Sequence, residues 1–168
     1  ICTDESLLRQ RVEERGREAA AGLAARGYPV EALQLDVASG GSCAAMTAAV
    51  VARHGRIDIL VNNAGLFRLH PSEDMPEADW RLQIDVMLTG TFLCTQAAVP
   101  VMLRHGGGSV VNIASISGLR ARTLRVAYGT SKGAAVNCTR PLAGGGGRHG
   151  ITVDALAAGF VSSPVGPG

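Results

Sequence analysis

The chain has 168 residues, of which 46% are hydrophobic, 18% charged and only 4% aromatic, and its formal net charge is +2. That balance describes a packed globular chain and excludes a disordered one, while dispersed basic residues and scarce aromatics supply no nucleic-acid track, base-stacking platform or membrane patch. No apolar run reaches about 18 residues and no signal sequence opens the chain, which places it in the cytoplasm as an expectation.

The first predicted element is a helix over 4–26. Thr3 or Asp4 can cap it, Leu7, Leu8, Val12, Ala19, Ala20 and Leu23 form an apolar stripe, and Gly27 is a natural stop. A strand follows over 30–36 and ends in Asp36 and Val37. A helix over 43–54 leads to a strand over 57–62, which runs into Asn62, Asn63, Ala64 and Gly65, a turn whose small residues let a ligand approach the backbone. Pro71 to Pro76 forms a polar bend, and Glu73, Asp74, Glu77 and Asp79 bring negative charge to the start of a long helix over 78–104. Pro100 is expected to kink or shorten that helix's last turn.

A buried strand over 109–114 comes next, then a helix over 127–142 and a strand over 151–157. Pro141 costs about 3 kcal/mol in a helix interior and each of the glycines 144–147 about 1, so the helix is expected to stop near Leu142 and pass into a mobile loop. Alternating strands and helices predict an α/β fold with a parallel sheet covered on both faces, and no repeat or linker divides residues 1–168 into further domains. Cys2, Cys43, Cys94 and Cys138 have neither metal-ligand nor redox spacing and read as free thiols. His54, His70, His105 and His149 lie near loops and helix ends with no shared spacing, so no metal site is expected.

Chemistry, if any, resides in Ser115, Tyr128 and Lys132. Ser115 closes a strand, at the end of the sheet where α/β folds bind ligands. Tyr128 and Lys132 stand one helical turn apart and project from one helix face. A phenol is a poor base near neutral pH because its reference pKa is about 10, but a nearby ammonium favours the phenolate, which suits Tyr128 to general acid/base work. Ser115 can donate a hydrogen bond to a carbonyl oxygen that gains negative charge. An isolated Y-x-x-x-K is also an ordinary surface pair.

Four motifs in order carry more weight: Asp36 Val37, Asn62 Asn63 Ala64 Gly65, Ser115, and Tyr128 with Lys132. In this order and at these intervals they resemble the short-chain dehydrogenase/reductase family, from about Arg11 to Val165. The resemblance implies a Rossmann-like, doubly wound sheet and hydride transfer between NAD(P) and a small carbonyl or secondary alcohol. It implies that Tyr128 exchanges a proton with the substrate, that Lys132 also binds the nicotinamide ribose, and that Ser115 orients the substrate oxygen. It further implies that Asp36 and Val37 line the adenine pocket, Asn63, Ala64 and Gly65 lie beside the adenosine ribose, and Gly159 and Val161 lie near the nicotinamide. Relatives commonly pair through helices matching 78–104 and 127–142, which makes a homo-oligomer an expectation.

The departures from the family pattern are specific. No T-G-x-x-x-G-x-G turn occurs, so the phosphate cradle has been lost or lies outside these residues. The sheet is expected to lack its first strand and its second, with strand 30–36 pairing directly with strand 57–62. Asp4 cannot be assigned as the residue that selects NAD over NADP. Met87 replaces the Asn that holds a water in the proton path, Asp154 replaces an Asn, and Ala158 Gly159 replaces Pro-Gly. The alternative to an enzyme is a noncatalytic scaffold that keeps the fold, and inactivity is the expectation for the isolated polypeptide.

Overall fold

The structure, a computed structural model, describes residues 5–120 and 122–159. Thr3 and Asp4, the expected caps, and Val161 lie outside the described residues. Two compact units are present, Ile1–Leu35 and Asp36–Gly168.

In the first unit the expected helix is α1 (Glu5–Ala24). Gly27 ends it in the left-handed region, at φ 85°, with Tyr28 N donating to the Leu23 carbonyl. Glu13 and Arg17, one turn apart, form an exposed ion pair, and the Arg26 guanidinium lies 5.4 Å from the Tyr28 ring centre. The strand expected over 30–36 does not form, and its pairing with 57–62 is not made. A hydrophobic run supplies side chains but no partner for the ladder, and Pro29 removes a donor at its start. Val30 and Leu33 are exposed accordingly.

The second unit holds α2 (Gly40–His54), β1 (Ile59–Asn62), α3 (Glu77–Ile84), α4 (Gly90–Arg104), β2 (Gly108–Ser115), α5 (Val126–Gly146) and β3 (Ile151–Ala158). The strands run parallel in the order β1-β2-β3, with Val110 opposite Leu60 on one side and Val153 on the other. Parallel neighbours need long crossovers. Helices α3 and α4 supply the first, and α5 the second. The class is α/β and Rossmann-like, as expected, with an incomplete sheet.

Strand alternation sends Val110, Asn112, Ile151 and Val153 to one face, where Ala98 and Met102 of α4 join Val110, Ile151 and Val153 in the core. On the other face Ile59, Val61 and Leu156 are 65%, 53% and 57% exposed. Helices α3 and α4 are joined by a π turn, Asp85–Thr89, so helical structure runs unbroken through Pro100 to Arg104. By length and composition alone the stretch Glu77–Arg104 is long and apolar enough to cross a membrane, and 44% of its most apolar window is buried within the protein.

Helix α5 corrects a second expectation. It runs through Pro141 to Gly146 and does not stop at Leu142. Leu142 and Ala143 pack against the Ile151 and Val153 core, and Gly146 lies so close to Ile151 that a Cβ there would stand 3.1 Å from the Ile151 Cβ. Packing of half-buried Leu142, Ala143 and Gly146 against that core offsets the poor helix propensity of proline and glycine. Cys43 and Cys94 are buried free thiols with sulfurs 3.5 Å apart, and burial, reinforced by Cys43, pushes the Cys94 thiol up to about 12.

Candidate active site

Ser115 ends β2, and its Oγ accepts a hydrogen bond from Ser117 N at 3.1 Å, which closes a tight turn over Ile116–Gly118. That turn meets α5 backbone to backbone. A Cβ on Gly118 would stand 2.5 Å from Gly133 N and 2.6 Å from the Lys132 carbonyl carbon, and one on Gly133 would stand 2.9 Å from the Gly118 oxygen. Only glycine at both positions permits the approach. The consequence is that Lys132, adjacent to Gly133, and Tyr128, one turn earlier, are carried to the carboxyl end of β2.

Lys132 is buried, 6% exposed, and its Nζ donates to the Ile113 carbonyl at 2.5 Å. The same Nζ lies 6.0 Å from the centre of the Tyr128 ring. Burial disfavours the charged amine and holds the Lys132 pKa below the usual lysine range. Half-buried Tyr128 stands edge-on to Phe67, with ring centres 4.8 Å apart and planes at 83°. Phe67 is held there by its loop. Fully buried Gln83 accepts from Arg68 N at 3.2 Å and donates to the Arg68 and Asp79 carbonyls at 3.4 Å. His70 pairs with Asp79 at 2.7 Å, and His70 N donates to the Leu124 carbonyl, tying this loop to the one before α5.

These groups surround one cavity of about 430 Å³. Ser115, Tyr128 and Lys132 all line it, together with Asn63, Gly65 and Gly159 from the expected cofactor set. Ala64 is exposed beside them and is not in the wall. Asp36 and Val37 stand elsewhere in this unit. The Asp36 carboxylate accepts from Ala38 N at 3.0 Å, and Val37 packs so tightly on Gly90 of α4 that a Cβ at Gly90 would lie 2.8 Å from it. Met87 is 1% exposed inside the π turn, near enough that a Cβ on Gly65 would stand 3.7 Å from its sulfur. It packs under the Asn63–Gly65 turn and presents no polar pair to a water.

Sequence reasoning missed Phe67, Ser117, Arg122 and Arg125, which also line the cavity. Their positions in loops follow no period, and the only signal was the basic character of the stretch between Ser115 and Tyr128.

The family model described as short chain dehydrogenase matches residues 5–167. This chain belongs to the short-chain dehydrogenase family. It is 40% identical over 141 residues to a (2S)-[(R)-hydroxy(phenyl)methyl]succinyl-CoA dehydrogenase subunit of Thauera aromatica, covering 84% of this chain and 56% of that protein. Against a D-threitol dehydrogenase of Mycolicibacterium smegmatis it is 41% identical, covering 78% of this chain and 50% of that one. Among solved structures, a gluconate 5-dehydrogenase from Burkholderia cenocepacia, crystallised with NADP and tartrate, superposes with a TM-score of 0.85 at 32% identity over 90% of this chain and 59% of its own. The chain thus spans between half and three fifths of the length of these short-chain dehydrogenases.

Two predictions follow from the packing around Lys132. Gly118→Ala forces backbone against backbone and is expected to destabilise the protein by about 3 kcal/mol, read from urea unfolding; a loss under about 0.5 kcal/mol would show that the turn and α5 part freely. Because the Lys132 pKa is lowered on folding, the unfolded chain binds more protons at pH values between the lowered pKa and the ordinary lysine value of 10.5. Stability relative to Lys132→Met should therefore rise as pH climbs through that window, as followed by thermal unfolding. Parallel or converging-downward profiles would contradict burial of the ammonium.

Proposed function

We propose that this protein is an NAD(P)-dependent oxidoreductase that interconverts a small carbonyl compound and the corresponding secondary alcohol. The observation that carries the reading is the convergence of Ser115, Tyr128 and Lys132 on one cavity. In the direction of reduction, the Tyr128 hydroxyl donates its proton to the substrate oxygen; in oxidation it accepts one. The Ser115 hydroxyl, whose oxygen already accepts from Ser117 N, directs its own proton toward that same oxygen as negative charge develops. Lys132 keeps positive charge beside the tyrosine, and its low-lying pKa eases return of a proton to the phenol.

The residues present fit one end of a dinucleotide. A cavity of about 430 Å³ accepts a nicotinamide and its ribose, and a Cβ on Gly159 would meet nothing within 4 Å, so that wall is open. Asn63, Gly65, Tyr128, Lys132 and Gly159 would hold that end, with Ala64 beside it and Asp36 and Val37 toward the adenine. Val161 belongs to the same proposed set. When bound, the cofactor supplies or accepts the hydride. A gluconate 5-dehydrogenase relative crystallised with NADP supports this choice of cofactor.

A second reading applies to the polypeptide of residues 1–168 taken by itself, a noncatalytic scaffold, since these residues contain no T-G-x-x-x-G-x-G phosphate turn. Calorimetric titration with NADH and NADPH separates the two. Saturable binding of either supports the enzyme, and failure of both supports the scaffold. Under the enzymatic reading Tyr128→Phe should keep cofactor affinity while turnover of a carbonyl panel falls roughly 10³-fold, whereas undiminished turnover would remove Tyr128 from its role.

A further inference from the structure

The wall of the cavity is electrically one-sided. Among the described residues, Lys132, Arg122 and Arg125 line it, and no aspartate or glutamate does. Lys132 is spent on the Ile113 carbonyl and the reacting end of the site. The arginines are not needed there. Arg125 immediately precedes α5, and its guanidinium stacks 4.9 Å from the Phe67 ring centre, while Phe67 in turn stands 4.8 Å from the Tyr128 ring. The positive group is thus one aromatic ring away from the phenol. Its Nη1 donates to Ser117 Oγ at 3.3 Å, and Ser117 N bonds Ser115 Oγ, so one short chain of contacts fixes the distance between the guanidinium and the hydroxyl proposed to hold the substrate oxygen.

We propose that Arg125, assisted by Arg122, recognises a carboxylate on the substrate, so that the preferred substrates are small oxo- or hydroxy-acid anions. The inference rests on the oxidoreductase reading of the same cavity. A guanidinium carries five donors in a planar fork that matches a carboxylate, and the bond to Ser117 uses one. Stacking on Phe67 leaves the fork's edge as the part that can meet a ligand, and it removes much of the rotamer freedom that binding would otherwise have to freeze. An uncharged substrate would leave the Arg125 guanidinium facing the cavity with only Ser117 and the Phe67 ring as partners. A substrate carrying a carboxylate would be oriented at two points, its oxygen at Ser115 and Tyr128 and its anion at Arg125.

Calorimetry with 3-hydroxybutyrate and its methyl ester, on the chain at low ionic strength, tests this without any need for turnover. The acid should bind roughly tenfold more tightly than the ester, as a charge-assisted hydrogen bond implies, and added salt should narrow the gap. Arg125→Met should abolish the preference and Arg125→Lys should restore part of it, with thermal unfolding checking that both variants fold. Equal binding of acid and ester, no binding of the acid, or a preference that survives replacement of both Arg122 and Arg125 by Met would overturn the proposal. If no nicotinamide cofactor binds and yet the acid preference persists, the oxidoreductase reading fails and the anion site stands. If turnover is found with equal kcat/KM for acid and ester, the reverse holds.

Discussion

Everything at the carboxyl end of the sheet depends on how closely α5 approaches the turn that follows β2. Gly118 and Gly133 bring backbone to backbone at a separation no side chain allows. Gly129, one turn earlier on α5, continues the seam, since a Cβ there would stand 3.1 Å from the Ser117 oxygen. The contact sets the depth at which α5 lies, and depth decides whether Lys132 reaches the Ile113 carbonyl and whether Tyr128 shares a cavity with Ser115. Geometry of this kind is stiff, because an interior packed at crystal density cannot absorb a displaced helix without moving its neighbours.

A second device holds the helices to the sheet. Asn62 donates to Thr95 Oγ1 at 3.1 Å and to Asn112 Oδ1 at 2.9 Å, and Asn112 donates to Thr139 Oγ1 at 2.9 Å. Each threonine passes its own proton to a helix carbonyl, Thr95 to Thr91 and Thr139 to Ala135. The network joins β1, α4, β2 and α5 and satisfies its members internally, which is the condition under which buried polar groups specify an arrangement and do not merely weaken it. Gln83 performs a comparable task by clamping the loop that carries Phe67 to the tyrosine.

The sequence made the candidate triad legible because its signals are local and periodic. Tyr128 and Lys132 are separated by one helical turn, and Ser115 closes an apolar run short enough to be a strand, so their convergence could be read before any coordinates. Two elements were misread for opposite reasons. Residues 30–36 have the composition of a strand, but pairing is a property of two segments and cannot be inferred from one. Residues 142–146 have the composition of a loop, but the packing of Leu142, Ala143 and Gly146 against Ile151 and its neighbours overrides propensity. Arg122, Arg125 and Phe67 sit in loops where no period announces a side chain's direction, so their place in the cavity emerges only from the fold.

The convergence of the three side chains depends on the contact between Gly118 and α5, and nuclear Overhauser spectroscopy on the isotopically labelled protein observes it directly. The expected result is a strong cross-peak between the Gly118 α-protons and the Gly133 amide proton, accompanied by ring-to-ring peaks between Phe67 and Tyr128. Assigned spectra in which the Gly118 peak is absent would contradict it, because a helix that does not touch the turn cannot bring Ser115, Tyr128 and Lys132 to one cavity.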